Sequence, residues 1–203
     1  MFTVKQLQVG GYDHNFSYII TDKESQETVI IDPCGNTQII KKALQKNFIP
    51  KYLLLTHNHH DHISGVKDVK RFFNAPVANY YQSSYPMDLP LKDHDHLPLG
   101  NAYIECIHTP GHTDDSMIFR LSDDSGIFTG DTLFIDYCGF CNPKTMFNSL
   151  QNRIFPLKDT NIVYSGHNYG HVPYATLGEE KLTNKYLAAQ NFKTFKEVLM
   201  NLK

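Results

Sequence analysis

The sequence has no apolar run approaching the roughly 18 to 20 residues that a membrane-spanning helix needs, so a spanning segment is not expected. Its start, Met1 to Gln8, lacks the apolar stretch of a signal peptide and reads as a strand. Cysteine is sparse. Cys34, Cys106, Cys138 and Cys141 are too few in 203 residues for a disulfide scaffold, and without an export signal a reducing cytoplasm is the expected compartment. Charge of either sign is not in excess: 19 Lys and Arg stand against 21 Asp and Glu, and no basic run occurs. That argues against a nucleic-acid partner. There is no repeat, no low-complexity tract and no Pro/Gly/Ser linker. The length suits one domain, 1–203, because a single core serves chains of up to roughly 250 residues. Tryptophan is absent, whereas histidine, at 11 residues, is plentiful. Where those histidines sit carries the functional information.

Hydrophobic patterning predicts strands over 2–9, 16–21 and 28–31, the last two forming a hairpin. Asn36 is placed to cap a helix running to about Lys46. A buried strand over 51–56 follows, then a helix over 64–73 and a short strand over 76–78. The stretch 79–100 reads as irregular. Strands are expected over 102–109, 116–121, 126–129 and 161–164. Asn142-Pro143 opens a helix to about Phe155, and the tail, 178–203, reads as helical. Strands precede helices in both halves, which points to a layered α/β sandwich.

The sequence Thr56-His57-Asn58-His59-His60-Asp61-His62 stands directly after the 51–56 strand. His57 and His59 are two apart, so in extended chain they point the same way. Asp61 and His62 follow where the chain turns into a helix. Imidazole nitrogens and carboxylate oxygens suit zinc and similar borderline metals, and a polar surface turn seldom carries this spacing after an apolar strand. His60, within the motif, is expected to point away. Three more strand ends carry one such residue each in a glycine-containing turn: His112 in Thr109-Pro-Gly-His-Thr, Asp131 in Phe128-Thr-Gly-Asp-Thr, and His167 in Ser165-Gly-His-Asn. Sites in α/β folds gather at strand ends, so these motifs are expected to meet.

In this order, H-x-H-x-D-H, T-P-G-H-T, T-G-D and G-H resemble the metallo-β-lactamase superfamily. Thr109-Pro-Gly-His-Thr, Phe128-Thr-Gly-Asp-Thr-Leu-Phe and Gly166-His-Asn-Tyr look like its glyoxalase II (hydroxyacylglutathione hydrolase) branch, and the tail from Thr176 to Leu187 resembles the single-domain members. The resemblance implies a four-layer αββα sandwich. It implies that His57, His59 and His112 hold one metal, that Asp61, His62 and His167 hold a second, and that Asp131 bridges them. The implied cofactors are two divalent ions, zinc first, with iron or manganese as substitutes. The implied reaction is thioester hydrolysis by a hydroxide held between the metals, on a small substrate that can be glutathione-derived. Asp61 and Asp131 are then the carboxylates at the reacting centre. A thiolate, with a pKa near 8.5, leaves without a general acid, which favours a thioester over an amide.

The sequence departs from the resemblance at Tyr137-Cys138-Gly139-Phe140-Cys141, where the family usually has Cys-Gly-Arg; Lys144 is the candidate replacement for the missing cation. Asn168 and Tyr169, beside His167, are candidate substrate contacts. The rival within the fold is a persulfide dioxygenase with one iron on His57, His112 and Asp131. Cys138 and Cys141 are read as a family turn plus an incidental cysteine, Cys34 and Cys106 as core residues, and His94-Asp-His96 as solvated loop.

Overall fold

The computed structural model describes residues 1–44 and 46–201. Its strands are β1 (Phe2–Gly10), β2 (Asn15–Asp22), β3 (Glu27–Ile31), β4 (Ile49–Leu54), β5 (Val77–Tyr80), β6 (Leu89–Leu91), β7 (His96–Leu99), β8 (Ala102–His108), β9 (Met117–Leu121), β10 (Gly126–Gly130), β11 (Ile162–Ser165) and β12 (Ala175–Thr176). The helices are α1 (Thr37–Ala43), α2 (His60–Ile63), α3 (Val66–Phe73), α4 (Pro143–Ser149), α5 (Leu177–Thr183) and α6 (Phe192–Met200), with a π-helical turn, Leu150–Ile154, continuing α4. No helix among the described residues is long and apolar enough to cross a membrane.

The strands form two six-stranded sheets, ordered β1-β2-β3-β4-β5-β6 and β12-β11-β10-β9-β8-β7. Side chains alternate across each strand, so each sheet buries two faces. Tyr18, Ile20, Val29, Ile31 and Leu54 of the first sheet meet Ile104, Met117, Phe119, Leu121 and Phe128 of the second in the central core. On the opposite face of the first sheet, Ile19, Ile30 and Leu53 pack under Ile40 of α1 and Val66, Val69 and Phe73 of α3. The outer face of the second sheet buries Ile107, Ile118, Ile127 and Val163 under Met146, Leu150, Leu177 and Phe195. The result is the four-layer αββα sandwich.

Local chemistry sets the helix ends. Asn36 caps α1 by accepting from the Gln38 N–H at 3.2 Å, and Asn142 caps α4 at Thr145 ahead of Pro143. Thr176 and Glu179 form a reciprocal capping box on α5. Asn74, left-handed at φ +46°, stops α3.

Four expectations shift. α1 ends at Ala43, short of Lys46, and Gln45 on the expected helix lies outside the described residues. The stretch 79–100 is not irregular, because it holds β6 and β7, the edge strands of the two sheets. Pro90 and Pro98 are tolerated at an edge, and such short strands leave no clear period. The helix expected to Phe155 changes character at Leu150, where the Phe155 N–H bonds back five residues to the Leu150 carbonyl at 2.8 Å. The tail is two helices. Asn184 interrupts it, donating its side-chain amide to the Phe134 and Tyr137 carbonyls at 3.1 Å each. Leu202 and Lys203 lie outside the described residues.

Phe195 of α6 is fully buried, with ring centroids 5.7 Å from Phe147 and 6.3 Å from Tyr186. Phe195→Ala is expected to cost about 3–5 kcal/mol of stability and to lower the midpoint of one cooperative urea transition. An unchanged midpoint would show that the tail is not part of the packed unit.

Candidate metal centre

The ligand-type side chains come from four strand ends and the turns that follow them. The loop after β4 carries His57 and His59, and α2 carries Asp61 and His62. The loops after β8, β10 and β11 carry His112, Asp131 and His167. Three sets lie close enough to hold an ion, each with ligand atoms within 4.8 Å of one another: His57, His59 and His112; Asp61, His62 and His167; and His57, His62 and Asp131. All seven residues expected from the sequence are therefore brought to one volume. Asp131 stands between the sets. Its Oδ1 is 3.3 Å from His62 Nε2, and its Oδ2 is 3.4 Å from His112 Nε2 and 3.3 Å from His167 Nε2.

Neighbouring groups fix the histidine tautomers. Thr56 donates its hydroxyl to Asp32 Oδ2 at 2.6 Å, so its oxygen is free to accept from His57 Nδ1 at 3.0 Å. His62 Nδ1 donates to Asp32 Oδ2 at 2.9 Å, His112 Nδ1 to the Phe140 carbonyl at 2.7 Å, and His167 Nδ1 to the Asp13 carbonyl at 2.6 Å. Each of these four rings has spent its proton on Nδ1 and turns an Nε2 lone pair inward. Those of His62 and His167 face each other, and that of His57 faces no donor. His62 Nε2 lies 3.1 Å from His167 Nε2, His112 Nε2 lies 2.9 Å from His59 Nδ1, and buried His57 Nε2 has no hydrogen-bond partner. Asp131 Oδ1 is also buried without a hydrogen bond. Converging lone pairs without protons between them repel, and orphaned buried acceptors are costly. Cations resolve both problems, so the residues fit a metal centre.

The electrostatics agree. Burial pushes His57 well below the ordinary histidine range and keeps it neutral, as a ligand must be. Burial opposes ionisation of Asp131, but the imidazoles of His62 and His167 against its oxygens hold its carboxyl well below the usual range. Burial likewise opposes protonation of His167, yet Asp131 and Asp61 draw it up to about 9. Without a cation, the carboxylates would recruit protons onto these rings.

Glycine is needed at Gly166, where a Cβ would collide with Asp131 Oδ1 and lie 2.7 Å from His62 Cε1. The same holds at Gly139, where a Cβ would strike the Asp131 carbonyl.

The family models locate the same segments. That of the metallo-beta-lactamase superfamily matches residues 10–93 and 79–167. The chain belongs to the metallo-β-lactamase superfamily. It is 34% identical over 171 residues to a probable polyketide biosynthesis zinc-dependent hydrolase of Bacillus subtilis, covering 78% of this chain and 75% of the relative. It is 36% identical over 161 residues to the hydroxyacylglutathione hydrolase of Pelagibacter ubique, covering 76% and 67%. It is 31% identical over 198 residues to the human mitochondrial persulfide dioxygenase ETHE1, covering 92% and 76%. Among solved structures, ETHE1 from Myxococcus xanthus superposes with a TM-score of 0.86 at 27% identity, over 99% of this chain and 91% of that one. The chain thus falls in a superfamily of metal-dependent enzymes with hydrolase and dioxygenase members at similar identity.

The remaining candidates divide. Tyr169 stacks on His167, with ring centroids 4.8 Å apart and planes 4° apart, and donates its hydroxyl to Asp13. Asn168 is exposed beside it, its backbone N–H on the His14 carbonyl. Lys144 does not face the cluster: its ammonium lies 4.7 Å from the Phe192 ring centroid, because α4 turns that face toward α6. His60 points away, as expected, to the Tyr12 hydroxyl at 3.2 Å. His94 bridges Glu105 and Arg153, and His171 pairs with Asp136. The four cysteines are free, Cys34 and Cys106 buried.

Sequence reasoning missed Asp32, Asn15 and the Asp13 carbonyl. Asn15 Nδ2 donates to Asp61 Oδ2 at 3.0 Å. Asp32 closes a strand end much as Asp131 does, and that position was the available signal. Asp32→Asn is expected to weaken metal affinity about 10- to 100-fold in a chelator competition titration, because His62 loses its orienting acceptor. Unchanged affinity would remove that role.

Proposed function

We propose that this chain is a dinuclear metallohydrolase acting on a thioester. His57, His59 and His112 hold one divalent ion, Asp61, His62 and His167 hold the other, and Asp131 bridges them. Zinc is the first choice of metal, with iron or manganese as alternatives. The observation that carries the reading is the Asp131 carboxylate, which lies within 3.4 Å of His112 of one ligand set and within 3.3 Å of His62 and His167 of the other. Two such ions, when bound, supply hydroxide near neutral pH and polarise an acyl carbonyl.

The chain's residues do the rest. Asp32, Thr56 and the Phe140 and Asp13 carbonyls hold four imidazoles as neutral donors in fixed orientation. Asn15 donates to Asp61 Oδ2 and fixes the aim of that carboxylate. His59 and Asp61 lie toward solvent while His57 and His62 are buried, so substrate meets the cluster from the His59 side. A departing thiol, with a pKa near 8.5, needs no proton from the protein, which suits a site whose groups are acceptors. Four free cysteines fit a reducing compartment such as the cytoplasm.

The second reading is a persulfide dioxygenase with one iron on His57, His112 and Asp131. The 31% identity to human ETHE1 over 92% of this chain favours it.

Metal analysis of protein purified without added metal, with S-lactoylglutathione hydrolysis measured on the same sample, separates the two. About two ions per chain with thioester turnover is the expected result. One iron per chain, no thioester turnover and oxygen uptake with glutathione persulfide would establish the second reading instead. Asp131→Ala is expected to lose both ions and activity together. Full turnover with one ion retained would end the bridging role.

A further inference from the structure

The six loops that supply the cluster and its hydrogen-bond partners span 10–14, 32–36, 55–62, 109–116, 131–142 and 166–174. They contain seven aspartates and none of the chain's 19 Lys and Arg residues. Two divalent ions would leave them net negative. The next two cations along the chain after the 131–142 loop are engaged elsewhere. Lys144 lies over Phe192, and Arg153 is tied to Asp93 Oδ2 at 2.7 Å. A cavity of about 260 Å³ adjoins the His59 side of the cluster, lined by Asn58, Gln82, Ser84, Thr113, Asp114 and Asp115. It offers amides, hydroxyls and two carboxylates, and its lining has no cationic side chain.

Three of the six loops also raise aromatic rings into solvent. Phe140 is 94% exposed while its carbonyl holds His112; Tyr12 is 72% exposed above His60; Tyr169 lies on His167 at 38%. Rings so exposed beside a polar cluster are suited to cover the apolar stem of a ligand.

We infer that the thioester this site takes has an uncharged thiol half: a short amide-bearing alkyl thiol, whose stem lies on the aromatic rim and whose amides meet Asn58, Gln82 and Thr113, rather than glutathione, whose two carboxylates outnumber its one ammonium. This rests on the thioester-hydrolase reading and narrows its substrate class. A thiol half with two carboxylates meets loops of the same sign that contain no Lys or Arg.

The test compares S-lactoylglutathione with the S-lactoyl ester of N-acetylcysteamine, identical in acyl group. The expected kcat/KM for the neutral ester is at least about tenfold higher at low salt, since a field of one sign changes encounter by that order or more. Added NaCl should narrow the gap by raising the glutathione ester's value, because screening acts over about 10 Å at 0.1 M. Phe140→Arg should raise kcat/KM for the glutathione ester about tenfold relative to the neutral one. Equal or higher kcat/KM for the glutathione ester in the parent chain, or a ratio that neither salt nor Phe140→Arg moves, would overturn the inference and leave the hydrolase standing. Hydrolysis of neither ester would overturn both.

Discussion

Asp131 is a buried carboxylate with imidazoles on every side, and the arrangement around it follows from the need to keep that charge compensated. Removing a carboxylate from water is expensive unless positive charge stands beside it. His62, His112 and His167 approach its two oxygens within 3.4 Å. Yet Asp32, the Phe140 carbonyl and the Asp13 carbonyl each hold the Nδ1 proton of one ring, and the nitrogens turned inward carry lone pairs. The protein thus surrounds an anion with acceptors. That charge is compensated either by protons drawn onto the rings or by metal cations held among them.

The fold provides the rigidity. The loops after β4, β8, β10 and β11 leave from the ends of strands with packed faces, so each ligand starts from a fixed point. The two sheets also touch through the site. Tyr18 of β2 donates its hydroxyl to the Ser165 carbonyl of β11 at 2.5 Å, and Phe16 N–H reaches the Gly166 carbonyl at 2.8 Å. These bonds set the distance between sheets beside His167. Gly139 and Gly166 let backbone pass where any side chain would displace Asp131 or its partners. Ligand geometry and core packing are therefore one constraint.

The mouth follows a different logic from the centre. The buried rings are each oriented by a partner, whereas the loops outside them carry carboxylates and exposed rings and no Lys or Arg. An unpaired field of one sign at an opening discriminates among ligands by charge before any contact is made.

Much was legible in the sequence because its signals were local. H-x-H-x-D-H after an apolar strand, and a glycine turn with one His or Asp at three later strand ends, named all seven residues of the cluster. Spacing and residue type carry coordination chemistry directly. Strands such as 2–10 and 126–130, and caps such as Asn36 and Asn142, were readable for the same reason. The edges were not: β6, β7 and β12 are two to four residues long, two of them contain proline, and they exist because a neighbouring strand offers partners. Nor could the sequence show that Asp32 orients His62, that the Asp13 carbonyl orients His167, or that Lys144 turns to Phe192. Those facts join residues 30, 154 and 48 positions apart, and only the packing of the two sheets and their helices brings such partners together. The sequence by itself determined which atoms can hold metal; the tertiary structure decided which partners orient them, because those partners meet only when the sheets and helices pack.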